Sequence, residues 1–588
     1  MIDPLRATAL ALAATTLMGV TPVQTYSAEQ LALLDPSIRM ASLCSGRGGP
    51  QSMRARLALA AAVVQSAALP SVPLRDDLGS VHLPITTANP LAQRYFDQGL
   101  SYAYGFNHAA AIASFRAAQA ADPNCALCYW GEAMAHGPNI NAPMDPATNA
   151  RSVALAAYAN WLAAKASPVE QALTAAMLKR YSVDPKADRA TLDAAYADAM
   201  LAAARAHPDN DDIAVLAAES AMDTLPWNYW TPDKNPQPRL GEAVQLVETV
   251  YARNPGHPQA AHLYIHLMEN GPDPKKAEAA ADRLATPLAP GAGHLVHMPA
   301  HIYYRLGRWK DSIRVNVAGA RADEAYIKAS GDKGLVRYGY YPHNVHFIVT
   351  SAQMAGDMPT AIREARKLSE ILDPATSAQI AWIQAINAAP YFAASQFAAP
   401  GQVLAMKAPD SRLPYVAAMR HYARATAFAN LHNRTAFDRE VAEIVKLRQS
   451  GEFQSMIDQG VPAPDLLMLA ETVARARFAS SSGRMNDAIK LYRDATVIEQ
   501  RIPYMEPPYW YYPVHQSLGA ALYRAGRYQE AQEAFTAALA RYPNNGWALY
   551  GLAASERALG RKPFAAAAQL ALNRAWIGDP RWLKMERL

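Results

Sequence analysis

Histidine is concentrated in three short strings of this chain. AAHLYIHLMEN sets His262 and His266 four residues apart, with Glu269 three further on. GHLVHMPAHIYYRLGRW sets His294, His297 and His301 at spacings of three and four and then reaches Arg305, and HNVHF holds His343 and His346. Spacings of three and four place side chains on one face of an α-helix, so each string reads as a row of imidazoles. Neutral imidazole nitrogen is a ligand for copper, zinc, iron or nickel, whereas calcium and magnesium require oxygen. A four-coordinate ion needs only three or four of these seven rings, which leaves others to support the ligands or to hold a second ion. Glu269 is the carboxylate placed to act as ligand, ligand support or catalytic base, and Arg305 is placed to hold an anionic substrate group. The competing reading is a lining of imidazole and aromatic rings for a small organic molecule or a peptide, and a lone helical histidine is ordinarily a surface or core residue. Seven rings on adjacent helices resist one another's protonation, a conflict that a shared metal resolves.

The elements that must position these rings are repeats. A tetratricopeptide (TPR) hairpin carries small, bulky and small residues at its positions 20, 24 and 27 and often Pro at 32, so that its two helices pack closely and the second then stops. Ala111, Phe115, Ala118 and Pro123 fit this spacing, as do Ala531, Phe535, Ala538 and Pro543; a degenerate copy runs through Ala243, Val247, Val250 and Pro255. Counting forward from Pro255 puts His262 and His266 at positions 5 and 9 of the next hairpin and Glu269 at 12, with Ala277, Ala281 and Leu284 supporting the count. Counting back from Gly307 and Gly356 puts His294, His297, His301, Arg305, His343 and His346 on the corresponding positions of two more first helices. Those positions face the concave groove, so seven of the fifteen histidines are expected on groove faces of three adjacent helices. Pro299 interrupts the second of these helices; a start there would place His294 and His297 before it.

No alternating β-type runs stand out, and the fold class expected is all-α, an α-solenoid of TPR-like hairpins. The division expected is a leader over 1–68, an extended segment over 69–90, an array with the His-rich groove over 91–375, degenerate helical repeats without clear register over 376–505, and C-terminal TPR repeats over 506–588. Pro226–Pro238, Lys328–Tyr341 and the aromatic stretch Glu506–Pro513 interrupt the pattern. Within the leader, Met53 followed by Arg54, Arg56, the apolar Leu57–Val64 and Ser66-Ala67-Ala68 reads as an export signal, with the upstream run Ala7–Val20 as the alternative. A periplasmic or secreted location follows. Cys44 would leave with the leader, and Cys125 and Cys128 remain to close a short disulfide or, alternatively, to serve as a redox pair. The net charge of +5 is spread over 588 residues without a dense basic block, which gives no case for nucleic acid. No apolar run of about 18 residues appears after the leader, so no membrane span is expected.

The strings FNHAAAIASFRAAQAADPNCALCYWGEAMAHGPNIN, AAHLYIHLMEN, GHLVHMPAHIYYRLGRW, HNVHF and YMEPPYWYYPVHQSLGAAL resemble a group of bacterial exported TPR proteins with a His-rich groove. The resemblance covers most of residues 90–560 and implies the TPR fold and export; it brings no reaction with it. Two functions then compete. One is an exported metalloprotein with copper, zinc or iron in the groove, either a metal-dependent enzyme or a carrier. The other is a non-catalytic scaffold for protein or peptide partners, whose groove would ordinarily carry Lys, Arg and Asn or apolar pockets rather than His.

Overall fold

The computed structural model describes residues 72–588 apart from 185, 287 and 451–452. The expected leader, with Met53, the upstream apolar run and Cys44, lies outside the described residues. Residues 72–89 carry no helix, and from Pro90 onward the chain is a succession of helices. Among the described residues there is no strand, only two isolated β-bridges, and no helix is long and apolar enough to cross a membrane.

The first repeat shows how the sequence builds the array. Helix α1 (Pro90–Tyr104) is capped by the Asn89 side chain, and α2 (His108–Ala121) by Asn107. Helix α3 (Ala126–His136) follows, with Cys125 at its N-cap, disulfide-bonded to Cys128. Phe115 on α2 is buried between two glycines: a Cβ added at Gly99 or Gly131 would come within 2.7 and 2.4 Å of its ring. Glycine inside a helix costs roughly 0.5–1 kcal/mol of helix stability relative to Ala; here it admits an aromatic ring between three helices. Removing that ring is expected to leave a cavity that the glycines cannot fill.

The middle of the chain carries the histidines. Helix α4 (Pro258–Glu269) holds His262, His266 and Glu269. The single helix counted through His294–Arg305 is two abutting helices, α5 (Gly293–His297) and α6 (Pro299–Leu306). The cause is Pro299, which lacks an N–H and starts α6. Met298 between them keeps helical angles, so the chain hardly leaves its path and His294 and His297 sit on a helix rather than a loop. Helix α7 (Trp309–Ser330) is long, and a single π-helical turn over Val336–Tyr340 leads directly into α8 (Tyr341–Ala355) with His343 and His346. The interruption expected over 328–341 is therefore mostly helical. The region read as lacking register contains two well-formed hairpins, Pro414–Asn430 with Arg434–Gln449 and Ala463–Ser481 with Met485–Arg501. Alanine on most faces of these helices hides the small–bulky–small signature.

The C-terminal repeat, α9 (Val514–Arg524), α10 (Tyr528–Arg541) and α11 (Gly546–Ala558), reproduces the first. Phe535 packs between Gly519 and Gly551, whose added Cβ atoms would lie 2.9 and 2.2 Å from its ring. This end folds back onto the middle of the chain. Trp309 Nε1 donates to the Asn544 carbonyl (3.0 Å), Trp547 Nε1 to that of Gln353 (2.8 Å), and Ile577 N to that of Ala355 (2.9 Å). Gly307, at φ +69°, lies so close to Pro543 that a Cβ would be 2.0 Å from its carbonyl oxygen. Two apolar cores result: one spans residues 78–355 and takes in Tyr542, and the other spans 320–588.

Outside the histidine region, a buried carboxylate ties the first repeats together. Glu132 accepts from Arg116 Nε, Arg151 Nε and Gln119 Nε2, each at 2.7 Å. Burial by itself would raise its pKa, but hydrogen bonds from His136 and Arg151 and the charges of Arg151 and Arg116 hold it well below the usual carboxylate range. A depressed carboxylate contributes stability that is present above its unfolded pKa and lost as pH falls. Glu132→Gln is expected to cost about 3–5 kcal/mol in chemical denaturation at neutral pH, because it breaks a buried ion pair. That gap should narrow as pH falls below about 4.5. Phe115→Ala, measured the same way, is expected to cost about 3–5 kcal/mol.

Candidate metal centre

Helices α4, α5, α6 and α8 bring six of the seven histidines into one buried cluster. His262, His266 and His294 form one triad, and His297, His301 and His343 another; within each, one nitrogen per ring lies within 4.8 Å of the others. His262, His266, His294, His297 and His301 are at most 6% exposed, and His343 is partly exposed. Two nitrogen pairs approach closely, His262 Nε2 to His294 Nε2 at 3.1 Å and His297 Nε2 to His301 Nε2 at 3.0 Å. Two ligands about 2.0–2.1 Å from one ion, at a tetrahedral angle, are about 3.3–3.4 Å apart, so each pair would open by a few tenths of an ångström to share an ion.

The opposite edges of the rings decide which nitrogens carry hydrogen. His262 Nδ1 donates to Gln259 Oε1 (2.9 Å), whose amide is oriented by Nε2 donating to Glu219 (2.9 Å). His297 Nδ1 donates to Asn316 Oδ1 (2.7 Å), oriented in turn by Asn316 Nδ2 donating to the Ser312 carbonyl (2.7 Å). His266 Nδ1 donates to Glu269 Oε1 (2.7 Å), which leaves His266 Nε2 buried without a partner. His301 Nδ1 lies 2.5 Å from Glu269 Oε2 and 3.1 Å from Glu506 Oε2; hydrogen-bond geometry is met toward Glu506, and Glu269 makes the closer ionic contact. With Nδ1 protonated in neutral His262, His266 and His297, Nε2 is the lone-pair atom; His301, facing two carboxylates, is the ring of the four that favours the doubly protonated form. Partners of this kind behind a metal-binding imidazole fix its tautomer and raise its basicity.

Electrostatics keep most of the rings in the metal-binding form. Burial, reinforced by neighbouring imidazoles, holds His262, His294, His297 and His343 well below the ordinary histidine range, and so neutral. Burial also lowers His266, partly offset by Glu269. His301 differs: burial would lower it, but the charge and hydrogen bonding of Glu269 and Glu506 raise it to about 10. Glu269 is held down at about 2 because the opposing charge of His301 and its hydrogen bonds outweigh burial, whereas burial pushes Glu506 up to about 7. Protonated His301 donates from Nε2 to His297 Nε2 at 3.0 Å.

The other residues singled out in the sequence fall elsewhere. His346 stands apart from both triads, its Nε2 bonded to the Tyr511 hydroxyl at 2.9 Å. Glu269 lies behind the rings, on their Nδ1 edges, and joins His301 and Glu506 in a third grouping. Arg305 lies over the Tyr504 ring at 5.4 Å, with its Nε buried and unpartnered, beside a cavity of about 40 Å³ that Tyr304 and Glu506 also line. Sequence reasoning missed Gln259, Asn316 and Glu506. A carboxylate set in the aromatic, proline-rich run YMEPPYWYYP was the one available signal for Glu506. The cluster is walled by rings: Phe106 lies 4.7 Å from His262, Tyr340 4.7 Å from His294, Phe347 4.8 Å from His301 and Trp227 5.0 Å from His266.

A tetratricopeptide repeat model matches residues 512–545, so the chain carries at least that repeat. No curated protein matches by sequence. Among solved structures, a human IFIT1 dimer with m7Gppp-AAAA is 11% identical and is aligned over 84% of this chain and 90% of that one, at a TM-score of 0.28. Yeast Tom70 is 12% identical over 84% and 94%, at 0.28, and the APC/C hetero-tetramer Cut9–Hcn1 is 12% identical over 97% and 99%, at 0.27. Likeness at this level carries no functional inference; the repeat architecture rests on the helical hairpins and the family match. For a transition metal held by these rings, Asn316→Ala is expected to weaken binding roughly 10–100-fold, read by competition with a chelator, while leaving helical content unchanged.

Proposed function

We propose that this is an exported TPR-type metalloprotein that holds transition metal, copper, zinc or iron, through His262, His266, His294, His297, His301 and His343, and that the metal acts on a small substrate. The observation that carries this reading is the convergence of Nε2 lone pairs on a buried centre from rings whose Nδ1 atoms are committed to Gln259, Asn316, Glu269 and Glu506. His266 Nε2 is buried without a partner, which costs stability unless something satisfies it, and a metal ion shared with His262 and His294 would do so. Three neutral imidazoles per ion leave a coordination position open, the arrangement found in catalytic rather than structural sites.

Small size of the substrate is supported by the enclosure. The cavity beside Glu506 and Arg305 is about 40 Å³, and the one reaching His294 is about 20 Å³; each has room for a few water-sized molecules at most. Arg305 would hold an anionic group in the first of these. A peptide scaffold fits less well, since a peptide would have to displace the loop carrying Glu506 and Tyr511 to reach the groove. Export is supported by the leader read at Met53 and by the buried Cys125–Cys128 disulfide, a bond that persists in oxidising compartments.

Elemental mass spectrometry on mature protein purified without a histidine tag tests this reading. Copper, zinc or iron is expected in about one or two equivalents per chain, and is expected to vanish in the triple variant His262→Ala/His297→Ala/His301→Ala. A native protein that takes up no metal even when offered it would overturn the proposal and make the groove a site for an organic or peptide ligand.

A further inference from the structure

The two triads form one cluster. Ring centroids of different triads, His266 to His301 and His294 to His297, are each 5.9 Å apart. Within the triads, His266 to His294 is 6.1 Å and His301 to His343 is 5.8 Å. The remaining within-triad distances are 4.8–5.0 Å, so the two triads are distinct groupings that adjoin through His266, His294, His297 and His301. Two ions, one per triad, would be neighbours within one buried cluster. Glu269 reinforces the pairing, since its two oxygens contact Nδ1 of one ring in each triad.

Two neighbouring cations in a buried site repel with little screening, so the counter-charge has to be built in. The carboxylates in contact with the six rings are Glu269 and Glu506. Their two negative charges offset two monovalent ions, and Arg305, which lines the cavity beside Glu506, adds one positive charge nearby. The carboxylates leave two divalent ions with a surplus of two positive charges, which a bridging dianion would remove. Of copper, zinc and iron, copper is the one with an accessible monovalent state, and imidazole is among its ligands. Phe106, Tyr340 and Phe347 give the cluster an apolar wall, which suits a small apolar substrate.

We propose that the six histidines hold a pair of copper ions that binds dioxygen between them as peroxide. This rests on the metal-binding reading above and names its substrate. Each Cu(I) gives one electron to O₂, which becomes bridging O₂²⁻, with two new copper–oxygen contacts and no proton transferred. The charge of the site is the same before and after. That equality is what a buried site of fixed charge requires of a reaction that water cannot compensate.

The test uses full-length mature protein, stripped of metal and reloaded with Cu(I) under anaerobic conditions. About two copper per chain are expected. On admission of air, one O₂ should be consumed per copper pair, a peroxide-to-copper charge-transfer absorption should appear, and the electron paramagnetic resonance signal should be absent because the two Cu(II) spins pair through the bridge. His343→Ala should halve the copper content, abolish the absorption and give the signal of an isolated Cu(II), with circular dichroism confirming the fold; the wild-type measurements decide the matter if that variant does not fold. A single copper per chain, two ions with separate resonance signals and no oxygen uptake, or retention of zinc against excess copper would overturn the copper–dioxygen pair while leaving metal binding intact. Failure to bind any metal would remove both readings.

Discussion

Glu269 is a fully buried carboxylate with imidazoles on both oxygens, and the geometry of the centre follows from it. A lone carboxylate in such a place would be neutralised by its surroundings. Here the opposing charge of His301 and the hydrogen bond from His266 keep it ionised. In return it fixes two rings, one on α4 and one on α6, with Nδ1 toward itself and Nε2 away. Amide oxygens of Gln259 and Asn316 do the same for His262 and His297, each amide being oriented by a further hydrogen bond. Four rings from three helices are thereby turned the same way without any ion to organise them. Preorganisation of this kind spares an incoming metal the work of ordering its ligands.

Burial of the centre depends on the return of the C-terminal half. An open solenoid groove would leave these rings in water, where imidazoles titrate near their ordinary pKa and compete with solvent for metal. The contacts of Trp309 with Asn544, Trp547 with Gln353 and Gly307 with Pro543 bring the last repeats against the helices that bear the histidines. The loop ahead of α9 then lays Glu506 against His301 and Tyr511 against His346. Close approach is possible because small residues stand where the backbones meet. The two Gly–Phe–Gly sandwiches, at Phe115 and Phe535, show the same solution at both ends of the array.

Much of this was legible in the sequence. Helical hairpins follow from the spacing of Ala111, Phe115, Ala118 and Pro123 and its repeat at Ala531–Pro543, because a small–bulky–small pattern fits only one way of packing two helices. The histidines could be assigned to groove faces because spacings of three and four are a local property of the helix. Pro299 announced a break, although it splits one helix into two nearly collinear ones rather than leaving a loop. The hairpins between 414 and 501 were not legible in register, since alanine on most faces removes the contrast from which a register is read.

The sequence by itself determined the all-α class, the repeat architecture at both ends, and which helix faces carry imidazole, all of which depend on residues within a turn or two of one another. Tertiary structure alone decided that the histidines divide three and three, that His346 turns instead to Tyr511, and that Arg305 serves a separate cavity. It also decided that Glu506, 205 residues beyond His301 in the chain, completes the site. The physical reason is that ring orientation and burial are set by contacts between helices far apart in sequence. No periodicity records how far a solenoid curves before its end meets its middle.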